Sequence, residues 1–128
     1  MRMAEVSAKY ELSQDTLRYY ERIGLIPPVN RNNSGVRNYT EDNLKWVEFI
    51  KCMRTAGLPI EALIEYVGLF QLGDETLEAR KELLKEQRDL LFAKMGDMKK
   101  TLERLDSKIE RYEQTVGEKE KLLNNLEK

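Results

Sequence analysis

The chain has 128 residues, 41% of them hydrophobic and 35% charged, with 22 basic and 23 acidic side chains and a net charge of −1. That length accommodates one modest domain and an extension. It holds no apolar run near the roughly 18 residues that cross a bilayer, and its first residues lack the apolar centre of a signal peptide.

A first short helix is expected over residues 3–10, where Met3, Val6 and Tyr10 recur at three- and four-residue spacing. Ser13 then offers an N-cap for a second helix, its hydroxyl accepting from a backbone N–H that has no helical partner. Gly24 ends that helix and Pro27-Pro28 forbids its continuation. On a helical wheel Thr16, Leu17, Tyr20 and Ile23 share the inward arc, whereas Gln14, Arg18 and Arg22 line the outward one with Tyr19 at its edge. Asn32-Asn33-Ser34-Gly35 reads as a turn cluster between Val29 and Val36-Arg37-Asn38-Tyr39, the pattern of a small β-hairpin.

Thr40 caps a third helix, with Glu41 and Asp42 in its first turn, and Gly57 stops it. Pro59 opens a fourth helix through Phe70, and Gly73-Asp74 marks a boundary between a head of residues 1–72 and a second region of 73–128. From Leu84 onward the apolar residues keep two interleaved heptad series. One is Leu84, Leu91, Met98, Leu105, Tyr112 and Leu126, interrupted by Lys119; the other is Met95, Leu102, Ile109, Val116 and Leu123, preceded by Arg88. Gly96 and Gly117 each cost about 1 kcal/mol relative to alanine but lie beside this seam. A helix of this length cannot cover its stripe by folding back on so small a head, so the pattern predicts a coiled coil between two copies.

Charge is unevenly distributed. Between Arg18 and Arg54 seven basic residues face four acidic ones, while 13 basic and 16 acidic residues follow from position 61. The net value hides a basic front end able to attract phosphate. An exposed helix presenting Gln14, Arg18 and Arg22 suits a major groove, where Arg pairs with guanine and Gln with adenine. Tyr19, Arg37 and Tyr39 suit phosphate clamps.

The pattern Thr16-Leu17-Arg18-Tyr19-Tyr20-Glu21-Arg22-Ile23-Gly24-Leu25-Ile26-Pro27-Pro28, followed by Gly35-Val36-Arg37-Asn38-Tyr39, resembles the MerR family of bacterial transcription regulators. The resemblance implies a mainly helical fold: a winged helix-turn-helix with a small β-hairpin wing, then a long dimerisation helix forming an antiparallel coiled coil. Its DNA contacts would come from Ser13, Gln14, Thr16, Arg18, Tyr19, Tyr20, Arg22, Arg37 and Tyr39. Its dimer contacts would come from Leu84, Leu91, Met95, Met98, Leu102, Leu105, Ile109, Tyr112, Val116 and Leu123. It also implies that a homodimer binds double-stranded promoter DNA and distorts an overlong promoter spacer until RNA polymerase engages both elements. Two positions depart from the family pattern: Glu11 stands in a turn that often holds glycine, and Pro59 where a serine-type cap is common.

The lone cysteine, Cys52, cannot close an internal disulfide, which fits a reducing, cytoplasmic location. With one cysteine and no histidine, a multi-cysteine metal site and an iron–sulfur cluster both fail on ligand count, and no metal or other cofactor is expected. Cys52 falls at the border of the apolar arc of the third helix, so it reads either as a small core residue or as a part-exposed thiol. Its setting, Phe49-Ile50-Lys51-Cys52-Met53-Arg54, is similar to MerR-type regulators that respond to aldehydes, other electrophiles or nitrosative stress, which implies a sensing role. Lys51 and Arg54 point away from it on the helix and Glu48 one turn away disfavours the thiolate, so activation would come from another element. The alternatives are the same DNA-binding fold answering a non-covalent effector, and a coiled-coil interaction module. An enzyme is not expected, since no catalytic constellation is present.

Overall fold

The computed structural model describes residues 1–127, with side chains through residue 124. Four helices build the head: α1 (Met3–Tyr10), α2 (Gln14–Arg22), α3 (Glu41–Thr55) and α4 (Ile60–Gln71). A single 3-10 turn (Asp74–Thr76) leads into α5 (Leu77–Glu127), a helix of 51 residues. No described helix is long and apolar enough to cross a membrane.

The helix starts follow from local chemistry. Ser13 Oγ accepts from the Thr16 N–H at 3.0 Å, and Thr40 Oγ1 accepts from the Asn43 N–H at 3.3 Å while Asn43 Oδ1 accepts from the Thr40 N–H at 2.9 Å. Each cap occupies a donor that the helix itself leaves unpaired. The stops behave the same way: α2 closes through Gly24 at φ +83°, where a side chain would be strained. Pro59 takes the N-cap position of α4, with extended backbone, and contributes no side-chain cap.

Val6, Leu17, Leu25, Ile26, Val47, Ile50, Leu63 and Val67 form the core of the head, all at most 2% exposed. They come from all four helices and from the segment after Gly24, so the helix-turn-helix of α1 and α2 rests on α3 and α4 as one body. Lys51 on α3 adds a polar tie, its ammonium donating to the Tyr10 carbonyl at the end of α1.

The expected hairpin is reduced to one antiparallel bridge between Arg31 and Arg37. Asn32 organises its tip by accepting from the Ser34 and Val36 N–H groups through Oδ1 at 2.9 and 3.0 Å, which spends on a turn the residues that longer strands would need. Tyr39 N–H donates to the Met1 carbonyl at 2.8 Å and fastens the far side of this wing to the chain entering α1.

By packing, the chain divides into one compact unit of Met1–Arg88 and a second from Asp89 onward. The first turns of α5 belong with the head because Thr76 Oγ1 donates to the carbonyls of Leu69 and Gly73, and Arg80 donates to Gly73 and lies 5.5 Å from the Phe70 ring centre.

Along α5 the seam predicted from the heptads is bare. Met95, Met98, Leu102, Leu105, Ile109, Tyr112, Val116 and Leu123 are each more than half exposed, Leu84 is 37% exposed and Leu91 is partly covered. Leu126 lies beyond the described side chains.

Glu11 is the only non-glycine described residue with a positive φ, at +55°, in the turn between α1 and α2. An L side chain there costs about 1–2 kcal/mol, partly offset in a Glu11→Gly variant by the greater freedom of glycine when unfolded. Glu11→Gly is therefore expected to raise unfolding free energy by about 0.5–1 kcal/mol in urea melts. A loss of stability would show that the Glu11 side chain contributes more than its backbone strain removes.

Candidate nucleic-acid interface

Three segments meet on one face of the head: the outward side of α2, the bridge residues of the wing, and Met3 at the start of α1. Gln14, Arg18, Arg31, Val36, Arg37 and Met3 line a shallow cleft of about 230 Å³ there. Three guanidiniums around one cleft make a positive field suited to phosphate oxygens.

The arginines differ in their commitments. Arg18 Nη1 donates to Asp15 Oδ1 at 2.8 Å in a pair whose side chains are 48% and 95% exposed, a weak contact easily exchanged for an anion. Arg22 is exposed and lies 5.5 Å from the centre of the Tyr19 ring, itself 39% exposed, so the ring supports the guanidinium from below. Arg31 is exposed, with Nη1 donating to the Gly35 carbonyl at 2.9 Å across the wing tip. Arg37 is held more firmly, its Nε donating to Glu21 Oε1 at 2.7 Å with side chains 20% and 17% exposed. The other carboxylate oxygen of Glu21 accepts from the Val29 N–H at 2.9 Å. One acid thus fixes α2, the post-proline segment and the wing against one another.

Gln14, Arg18 and Arg37 line this cleft, while Tyr19 and Arg22 are exposed on α2 outside its lining. Ser13 and Thr16 are engaged with each other, their hydroxyls 2.8 Å apart at the helix start.

Tyr20 and Tyr39 are corrections. Tyr20 is 7% exposed and shares the buried face of α2 with Leu17; Tyr39 is 2% exposed, its hydroxyl buried without a partner. The Tyr39 hydroxyl is thereby withheld from a phosphate, and Tyr20 offers only an edge of its side chain to a shallow cleft beside Thr16 and Arg54. Tyr39 is drawn inward because its backbone is bound to Met1 and its side chain completes the core beneath the wing. Burial raises both phenols above their ordinary value; for Tyr39 the Glu21 carboxylate adds to this and Arg37 and Arg18 oppose it, and for Tyr20 Arg54 opposes it.

Arg31 enters the basic balance of the sequence but is not among the expected DNA contacts. Its distance of six residues from Arg37 across an Asn-Asn-Ser-Gly turn is the signal that pairs the two.

On α3, Cys52 is exposed, which removes the reading of a buried core cysteine. A separate cleft of about 490 Å³ lies over α3 and α4 and is lined by Trp46, Phe49, Tyr66 and Phe70 with Pro27, Asp42, Asn43 and Lys45 at its edges. Its rings are in contact, with Trp46 and Phe70 centroids 4.9 Å apart and Phe49 and Tyr66 5.7 Å apart. Among the described residues no group of acids, cysteines or histidines is placed to hold a metal ion.

Two family models match the chain: the MerR HTH family regulatory protein over residues 1–68, and the MerR DNA-binding family over 44–114. The HTH-type transcriptional regulator AdhR of Bacillus subtilis is 59% identical over 92 residues, covering 72% of this chain and 66% of AdhR, just under two thirds of that regulator's length. A crystal structure of a MerR family transcriptional regulator from Listeria monocytogenes superposes with a TM-score of 0.93 at 48% identity, covering 98% of this chain and 96% of the other. Another, of HiNmlR, a MerR family regulator lacking the sensor domain and bound to promoter DNA, gives a TM-score of 0.81 at 27% identity, covering 88% and 90% of the two chains.

Two substitutions separate surface from core. Arg31→Ala is expected to lower affinity for a promoter fragment and to flatten the slope of log K against log salt by about 0.9 for each phosphate no longer neutralised. Tyr39→Phe is expected to leave that affinity unchanged and to be neutral or stabilising by up to about 1 kcal/mol, since it deletes an unpaired buried hydroxyl. The unfolded phenol titrates near 10.0 and the folded one higher, so this group's contribution is intact below that value and lost as pH rises through the folded value. Alkaline melts of Tyr39→Phe should accordingly lose less stability above about pH 10 than the parent chain. Weakened DNA binding by Tyr39→Phe would return this phenol to the interface.

Proposed function

The chain belongs to the MerR family of helix-turn-helix DNA-binding transcriptional regulators, and on that premise we propose that it works as a homodimer switched through Cys52. In this reading residues 1–72 bind DNA and residues 73–128 pair two copies. Two heads grip a two-fold operator in an overlong promoter spacer, α2 in successive major grooves and the wings on the flanking phosphates. Bending and untwisting such a site costs a few kcal/mol, which phosphate contacts from Arg18, Arg31 and Arg37 offset. Distortion brings the promoter elements into register for RNA polymerase. The protein acts as a regulator and not as an enzyme.

The exposure of Cys52 carries the proposed signal. A thiol reachable from solvent on α3, a helix of the DNA-binding head, can be alkylated by an aldehyde or another electrophile, or oxidised. The added group changes how α3 packs against its neighbours and so the angle at which the heads meet the duplex. The likeness to a MerR family regulator that lacks the sensor domain supports a trigger within the head itself.

Cys52→Ser is expected to bind the promoter as the parent does and to lose its transcriptional response to an electrophile such as methylglyoxal. Equal induction of variant and parent would remove the thiol from the mechanism. The aromatic cleft over α3 and α4 favours a second reading, a non-covalent effector, because its size falls within the range of small-molecule sites. That reading predicts induction preserved in Cys52→Ser and abolished in Tyr66→Ala.

A further inference from the structure

α4 ends at Gln71, and its last carbonyls, which no further helical N–H reaches, are met from across the joint to α5. The Gly73 N–H donates to the Phe70 carbonyl at 3.1 Å, and the Thr76 hydroxyl lies 2.6 Å from the carbonyl oxygen of Leu69 and 2.8 Å from that of Gly73. Arg80, in the first turn of α5, donates from Nε to Thr76 Oγ1 at 3.0 Å and from Nη2 to the Gly73 carbonyl at 3.2 Å. Its guanidinium also lies 5.5 Å from the centre of the Phe70 ring. One side chain thus closes the joint with two hydrogen bonds and a ring contact.

The backbone at the centre of this joint is unusual. Gly73 has φ +97° and ψ −168°, a region that residues with a side chain essentially do not enter. No atom lies within 4 Å of the place a Cβ would take, so the demand for glycine comes from the backbone and not from crowding. Such a conformation persists only while its surroundings hold it, and here Thr76 and Arg80 do so. Phe70 anchors the arrangement to the rest of the head, its ring 4.9 Å from that of Trp46 on α3.

We propose that Arg80 is a positioning residue for promoter distortion: with Thr76 and Phe70 it locks the first turn of α5 to the end of α4, so that the joint does not give way at Gly73. The inference rests on the distorting-homodimer reading above. A bent and untwisted duplex pushes back on the heads that hold it. A slack joint lets each head follow the DNA to its relaxed form, whereas a locked joint makes the duplex yield.

The test uses the full chain with Arg80→Met, which keeps the length of the side chain and removes its donors, and with Gly73→Ala, which strains the backbone without meeting a neighbour. Each is titrated against the operator fragment that the parent chain footprints, carrying at its centre a fluorescent base analogue that brightens as the central base pairs unstack. Both variants are expected to bind as tightly as the parent or up to about tenfold more tightly, because deformation is no longer enforced, while the brightening falls to about one third or less. Arg80→Lys, which can still reach the Gly73 carbonyl and the Phe70 ring, is expected to restore part of it. Brightening equal to the parent's in Arg80→Met and Gly73→Ala overturns the assignment. Weakened binding with a proportionate loss of brightening also overturns it, since a side chain that only stabilises the head gives that result. A parent complex that does not brighten overturns the distortion reading, and this inference with it.

Discussion

The arrangement of the DNA-facing surface depends on one carboxylate. Glu21 lies on the last turn of α2 and accepts two hydrogen bonds, from the Val29 N–H behind the two prolines and from Arg37 Nε in the wing. Bonds to a charged acceptor of this kind contribute about 1.5–3 kcal/mol each when shielded from water. The Glu21 and Arg37 side chains are roughly four-fifths covered, so solvent screening takes part of that. The larger consequence is geometric. The wing is closed on itself by short hydrogen bonds across its tip, and Glu21 ties it to the helix beside it.

This tie explains why the basic residues divide their labour. Arg37 spends one donor on Glu21 and thereby fixes the direction of the remainder of its guanidinium. Arg18 and Arg31, exposed and lightly engaged, can change partner when an anion arrives. Arg22 gains support from an aromatic ring rather than from an acid, which leaves its full charge directed outward. On the proposed reading, an anchored Arg37 beside the exposed Arg18 and Arg31 holds a duplex in register and accommodates the change of angle of a distorted site.

What the sequence made legible followed from short-range chemistry. The Ser13 and Thr40 caps, the Gly24 stop and the apolar periods each act within a few residues, and the helices begin and end where those signals fall. The turn at Glu11 stood out only against the family pattern, which often has glycine there, and its positive φ is seen in the structure. The roles of Tyr39, Arg37 and Arg31 were not. They depend on contacts with residues far away in the chain: Tyr39 with Met1, Arg37 with Glu21, and all three arginines of the cleft with one another. A tyrosine in a basic stretch looks like a phosphate ligand until the core beneath it is seen to need a ring. The exposure of Cys52 was similarly undecided on a helical wheel, since border positions are settled by what packs over them.

The coupling between α2 and the wing is accessible to a double-mutant cycle on DNA affinity. Glu21→Gln, Arg37→Gln and the combined variant are titrated against one promoter fragment at fixed salt, alongside the parent. If Glu21 and Arg37 act as one clamp, either substitution alone loses most of the affinity and the combined variant is no worse than the weaker single. Losses that simply add would contradict the clamp and leave two independent residues in its place.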